Sequence, residues 1–175
     1  MHPIIYDVAV SVDGFISGPS GDISMFANEG PVVEDYHARM ATYTTAIMGR
    51  STYQFGYKYG LEPGQNPYQH METIVFSQSI GDLKNSDVKI CRSTTTHIIR
   101  ELKSIAKGPI YLCGGGSFAG WLLKKGLIDR VILKRAPFVY GDGVSLFGGK
   151  VSPHPFKKIA SKSYLSGYVL EEYET

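Results

Sequence analysis

The stretch "IYLCGGGSFAGWLLKKG", residues 110 to 126, constrains the fold of this 175-residue chain more than any other. A short apolar run stops at three glycines, and a helical pattern begins at once and ends at Gly126. A strand that passes directly into a helix cannot turn back as a hairpin, so the helix must return the chain and leave the next strand parallel. The same order recurs in "TTAIMGRSTYQFG", residues 44 to 56, where an apolar run passes through Gly49 and Arg50 to a Ser51–Thr52 pair able to start a helix.

The remaining patterns extend this alternation. "IIYDVAV" (4 to 10) reads as a first strand, and the Gly- and Ser-rich stretch from Asp13 to Gly30 as a long loop of the kind that often carries function. Pro31 opens a helix to about Tyr43 with Val33, Tyr36, Met40 and Tyr43 on one side. Tyr57 to Met71 reads as a loop, and "TIVFS" (73 to 77) and "VKIC" (88 to 91) as strands. Thr94 or Thr95 caps a helix with Ile98, Ile99, Leu102 and Ile105 on one face, ended by Gly108. "RVILKRA" is a further strand, and "FKKIASKSYLSGYVLEEYE" forms a hairpin about Ser166–Gly167. The expected fold is a single α/β domain over residues 1–175, a three-layer sandwich with a mixed, mostly parallel sheet, helices on both faces and an antiparallel C-terminal hairpin.

Composition excludes several classes. Hydrophobic residues make up 43 % and charged residues 19 %, a globular balance, and a net charge of +2 with no long like-charge run argues against a nucleic-acid partner. No apolar stretch is long enough to span a bilayer and no secretory signal is evident, so a cytoplasmic protein without a membrane partner is expected. Cys91 and Cys113 are too far apart for a CxxC motif and read as buried free thiols. "HMET" contains the H-x-E of zinc deaminases, but no P-C-x-x-C follows, so His70 reads as a loop histidine and no metal is expected.

Two places suit phosphate. At Gly114, Gly115 and Gly116 bare backbone N–H groups at a helix start can approach an anion, although strand-Gly-helix is also an ordinary tight turn. At Gly49 to Thr52 the Ser51 and Thr52 hydroxyls and the Arg50 guanidinium offer donors. Together they point to a ligand with phosphates at separate points, such as a dinucleotide bearing an extra phosphate. "GGGSFA" also meets the loose Rossmann pattern, but such a fingerprint opens a nucleotide-binding half, and here only about 55 residues follow it.

"AIMGRSTYQ", "TIVFS" and "IYLCGGGSFAGWLLKKGLIDRVILKRAPFVYGDGVSLF" together resemble the dihydrofolate reductase superfamily, most closely the reductase domain of bifunctional riboflavin-biosynthesis enzymes, the RibD C-terminal domain family. The resemblance implies an NADPH-dependent oxidoreductase, usually homodimeric, that delivers hydride to a small heterocycle as 5-amino-6-(5-phosphoribosylamino)uracil reductases do. It implies that Gly49, Arg50, Ser51 and Thr52 hold the adenosine-side phosphates, that Ser77 lies beside the adenosine, and that Gly114, Gly115, Gly116 and Ser117 carry the pyrophosphate. Ala9 and Ile16 match positions around the nicotinamide, and Asp13 a position at the substrate mouth, though Asp-Gly is equally good turn chemistry.

Folate reductases place an acidic residue on the helix before "IMGR", which here makes Glu34 the catalytic candidate; an acid near a helix start also simply favours the dipole. Trp121 reads as core, and "YQFGYKYG" as a pocket wall or a dimer contact. The substrate side departs from the riboflavin branch. Asp7 stands in the first strand where that branch carries a lysine, and Met25 and Phe26 where it often has a Trp. Dihydrofolate reduction and a non-catalytic NADPH-binding module are the alternatives.

Overall fold

Alternation along the strands divides the core. In the computed structural model, which describes residues 1–149 and 151–175, Ile4, Tyr6 and Val10 of β1 (Ile4–Val10) bury into one apolar layer and Ile5 into the other. A short β2 (Phe15–Ser17) follows, then α1 (Pro31–Met40), β3 (Thr45–Gly49), α2 (Arg50–Phe55), β4 (Glu72–Phe76) and β5 (Lys89–Cys91). After these come α3 (Thr96–Ile105), β6 (Ile110–Gly114), α4 (Gly116–Lys124), β7 (Arg130–Arg135), β8 (Val144–Ser145), β9 (Lys157–Ser163) and β10 (Val169–Glu174).

Eight strands form one sheet in the order β5-β4-β3-β6-β1-β7-β10-β9. The first six run parallel, and the C-terminal hairpin adds β10 and β9 antiparallel at one edge. One face is covered by α1 through Val32 and Met40 together with Tyr53 of α2. The other is covered by Ile99 and Leu102 of α3 and by Ala119, Leu122 and Leu123 of α4. This is the expected α/β sandwich with a mostly parallel sheet. The wholly exposed outer strand β9 carries Lys157, Lys158 and Lys162, which discourage further edge pairing.

Several local expectations are corrected. The first helix stops at Met40 rather than Tyr43, because the chain turns at Ala41 and Thr42 and sends Tyr43 into the sheet layer. Of the two cap candidates, Thr94 and Thr95, it is Thr95 that caps α3, accepting from the Ile98 N–H at 3.3 Å. Ile105 is exposed, since it ends the helix and the chain becomes extended at Ala106. Gly108 therefore lies beyond the helix end, where a side chain would collide with Thr44. The stretch from Asp13 to Gly30 contains β2, which pairs with β8 in a second small sheet, and the stretch from Tyr57 to Met71 opens within a short 3-10 turn at Gly56–Tyr59. Strands of two or three residues carry too little periodicity to be read from sequence.

Candidate functional site

The strand-to-helix turns at Gly49 and Gly114 come together because β3 and β6 are neighbours: Met48 pairs with Gly114 and Gly49 with Phe76 of β4. The carboxyl ends of three parallel strands thus open onto one crevice, the usual ligand position in such sheets. The caps Gly49 and Gly115 are extended and bear no capping side chain, leaving backbone donors at the helix starts. Gly114 has a positive φ of 124°, which strongly favours glycine, and the Gly114–Gly115 peptide is cis. A side chain on Gly115 would come within 2.9 Å of the Thr52 hydroxyl, so the two turns face each other closely. Gly116 is different: a Cβ there would strike the Ser145 carbonyl at 2.2 Å, and its smallness admits the "GDGVSLFG" loop against α4.

Arg50 and Ser51 are exposed at this crevice. The Arg50 guanidinium donates to Ser79 Oγ at 2.5 Å, which draws it toward the end of β4. Ser77 is buried, and its hydroxyl accepts from the Ser79 and Ile80 N–H groups, so it shapes the turn that holds Arg50's partner. Ser117 is exposed at the start of α4, and Ile16 lies half-buried in β2 against the layer containing α3 and α4.

Asp13 is exposed and accepts from Ser11 Oγ at 2.5 Å and from the Tyr140 and Gly141 N–H groups at 3.2 and 2.7 Å. These bonds, the Ser11 one foremost, outweigh the opposing effect of desolvation, hold its carboxyl below the usual range and tie two loops together. His70 hydrogen-bonds the Met40 carbonyl, and no group of potential metal ligands exists among the described residues. Both cysteines are free, and Trp121 packs half-buried beside Phe118. Tyr53 of "YQFGYKYG" is core, its hydroxyl donating to the Gln65 carbonyl and accepting from the Gly64 N–H. No helix among the described residues is long and apolar enough to cross a membrane.

A cavity of about 340 Å³ lies between the sheet and α1, lined by Ala9, Phe26, Tyr36, Tyr111 and a buried charge cluster. Glu34 is exposed and is not among its lining residues. The carboxylate that does line it is Asp7, completely enclosed, which accepts from Arg39 Nε at 2.7 Å, Arg39 Nη2 at 3.3 Å, Lys134 Nζ at 2.9 Å and Tyr43 Oη at 3.2 Å. Burial alone would raise the Asp7 pKa, but the Lys134 and Arg39 charges and hydrogen bonds outweigh it and hold the carboxyl low. For Lys134 the order reverses, and burial brings the ammonium below its usual value despite Asp7.

Neither Lys134 nor Arg39 stood out in the sequence. The available signal was a charge inside each of two apolar strands, Asp7 in "IIYDVAV" and Lys134 in "RVILKRA", which a sheet can bring together as a pair.

A curated relative, the uncharacterized protein YyaP of Bacillus subtilis, is 25 % identical over 95 % of this chain and 91 % of its own length. A candidate riboflavin-biosynthesis protein from Shewanella sp. PV-4 superposes with a TM-score of 0.82 at 24 % identity, covering 99 % of this chain and 98 % of that one. A deaminase/5-amino-6-(5-phosphoribosylamino)uracil reductase from Thermotoga maritima superposes at 0.75 and 18 % identity over 99 % of this chain and 56 % of that one. Dihydrofolate reductase from Enterococcus faecalis, complexed with NADP(H) and RAB-propyl, gives 0.70 and 15 % identity over 98 % and 95 %. These similarities establish the dihydrofolate reductase-like fold. With residues 3–170 matching the RibD C-terminal domain, the chain belongs to that family.

Proposed function

We propose that the protein is an NADPH-dependent reductase that transfers hydride to a small, planar heterocycle related to the aminopyrimidines and pterins. The observation that carries this reading is the meeting of Gly49–Thr52 with Gly114–Gly115 at neighbouring strand ends, while Ala9, on the next strand, lines the cavity. The donor set suits a phosphorylated dinucleotide: backbone N–H groups without capping side chains, hydroxyls of Ser51, Thr52 and Ser117, and a guanidinium at Arg50.

NADPH supplies the hydride when bound. In this assignment Arg50 engages the extra phosphate, the glycine turn at 114 to 116 and Ser117 accommodate the pyrophosphate, and Ala9 and Ile16 adjoin the nicotinamide. Ser77 acts beside the adenosine by shaping the turn that holds Ser79, and Asp13 acts by fixing the loop at the mouth. The cavity's aromatic walls position a flat ring and exclude water from it. Glu34 enters as proton donor only if substrate binding carries a water to it. A homodimer working in the cytoplasm completes the proposal.

Titration of the purified protein with NADPH and NADH, followed by fluorescence and repeated with Arg50→Ala, tests the reading. The expected result is tight NADPH binding that weakens toward the NADH value in the variant. Absence of binding by either nucleotide would overturn it.

A further inference from the structure

The cluster under α1 carries more positive charge than its carboxylate can balance. Asp7 is the one anion in direct contact with both Arg39 and Lys134 among the described residues. Arg39 occupies both carboxylate oxygens, through Nε at 2.7 Å and Nη2 at 3.3 Å, and it stays protonated at every relevant pH. The next acid on the helix, Asp35, is engaged by Lys162 at 2.5 Å and by the Tyr164 hydroxyl at 2.6 Å. Lys134 is therefore a second buried cation beside an already matched pair, with only 9 % of its side chain exposed. Enclosed charge in excess of its counter-charge is costly unless something in the site compensates it.

The surroundings of Lys134 indicate where that compensation comes from. Its Nζ lies 3.7 Å from the centroid of the Tyr36 ring, a contact that favours the ammonium form. Of its three N–H bonds, one reaches an acceptor among the described residues, Asp7 Oδ1 at 2.9 Å. The side chain lines the cavity, and Lys134 stands in register with Ala9 across β7 and β1. The other lining residues are aliphatic or aromatic, Phe26, Tyr36, Tyr111 and Tyr168 among them, apart from Asn28 and His37, and they include no second carboxylate.

We propose that Lys134 is a specificity-determining residue whose ammonium, held by Asp7 and braced on Tyr36, binds an anionic acceptor atom on the ring of the substrate. The ligand class is a planar heterocycle with negative charge on, or shared by, a ring-attached oxygen or ring nitrogen. Arg39 acts as a positioning residue through Asp7, which it fixes from the opposite side. The inference deepens the proposed function and rests on the cavity being its substrate site.

The test compares two probes of nearly equal shape. Barbiturate carries ring-borne negative charge at neutral pH, and uracil presents a similar ring without it. Calorimetry on the wild type is expected to show barbiturate bound roughly tenfold or more tightly than uracil, a preference that Lys134→Met brings close to one while uracil affinity stays similar. Lysine-selective NMR of the wild-type chain supplies an arm independent of the variant's folding: the Lys134 signal shifts with barbiturate and stays in place with uracil. Equal affinity for the two probes, no barbiturate binding at millimolar concentration, or an unshifted Lys134 signal would each overturn the proposal. NADPH titration of the same samples separates the two claims, since loss of nucleotide binding counts against the reductase reading, whereas a lost probe preference counts against Lys134.

Discussion

The crevice at the ends of β3 and β6 and the charged cavity floor under α1 are built in opposite ways. The crevice is assembled from contiguous segments, 49 to 52 and 114 to 117, whose donors are backbone groups and exposed side chains. The floor carries Asp7 and Lys134, and Asp7 is also held by Arg39; the two cations lie 127 and 32 positions from Asp7 and reach it through enclosed ionic contacts. A site made of local turns tolerates change in its side chains, because the backbone supplies the geometry. A site made of buried charge depends on every partner, because each group left over is stranded in a low-dielectric layer.

That contrast predicts a graded set of effects. Asp7→Ala, which leaves Arg39 and Lys134 without their shared anion, is expected to cost about 3–5 kcal/mol of stability by urea denaturation; a loss below about 1 kcal/mol would erase the distinction between the regions. Gly116→Ala tests the other side, since a Cβ would lie 2.2 Å from the Ser145 carbonyl. Its expected cost, measured as a fall in thermal midpoint, corresponds to roughly 1–3 kcal/mol.

The pH dependence sharpens the same point. The Asp7 carboxyl is held below its ordinary value, so its stabilising contribution is fully present above the unfolded-state value and disappears as pH falls through the folded-state value. Urea melts at falling pH should therefore show the gap between wild type and Asp7→Asn narrowing below about pH 4. A constant gap would mean that the carboxylate charge is not what the floor requires. At the small end, Glu34→Gln is expected to change reductase turnover less than about twofold, because an exposed side chain outside the cavity lacks hydrogen-bond reach of a ring within it. A drop greater than about tenfold would restore Glu34 to the chemistry.

The difference also explains what could be read from the amino acids. The parallel sheet, its antiparallel hairpin and both glycine turns were legible because local patterns determine them: apolar runs, Gly126 with its positive φ, and the cap at Thr95. The pairing of Asp7 with Lys134 was not legible, because it depends on β1 and β7 being neighbours although every element from β2 to α4 intervenes in the chain. The same reason hid β2 and β8, whose loops meet where Gly143 lies against the Ser17 carbonyl and the Ser145 carbonyl lies against Gly116. Gly116, expected to serve a phosphate, also makes room for that loop, a contact visible only in three dimensions.

Backbone amide NMR of the wild-type protein titrated with NADPH tests the two-region account most directly. The account predicts that shifts concentrate at residues 49 to 52, 114 to 117 and Ala9, with the amides of Arg39 and Tyr43, which hold Asp7 at the cavity floor, largely unmoved. Shifts centred on the floor, with the two glycine turns silent, would contradict it.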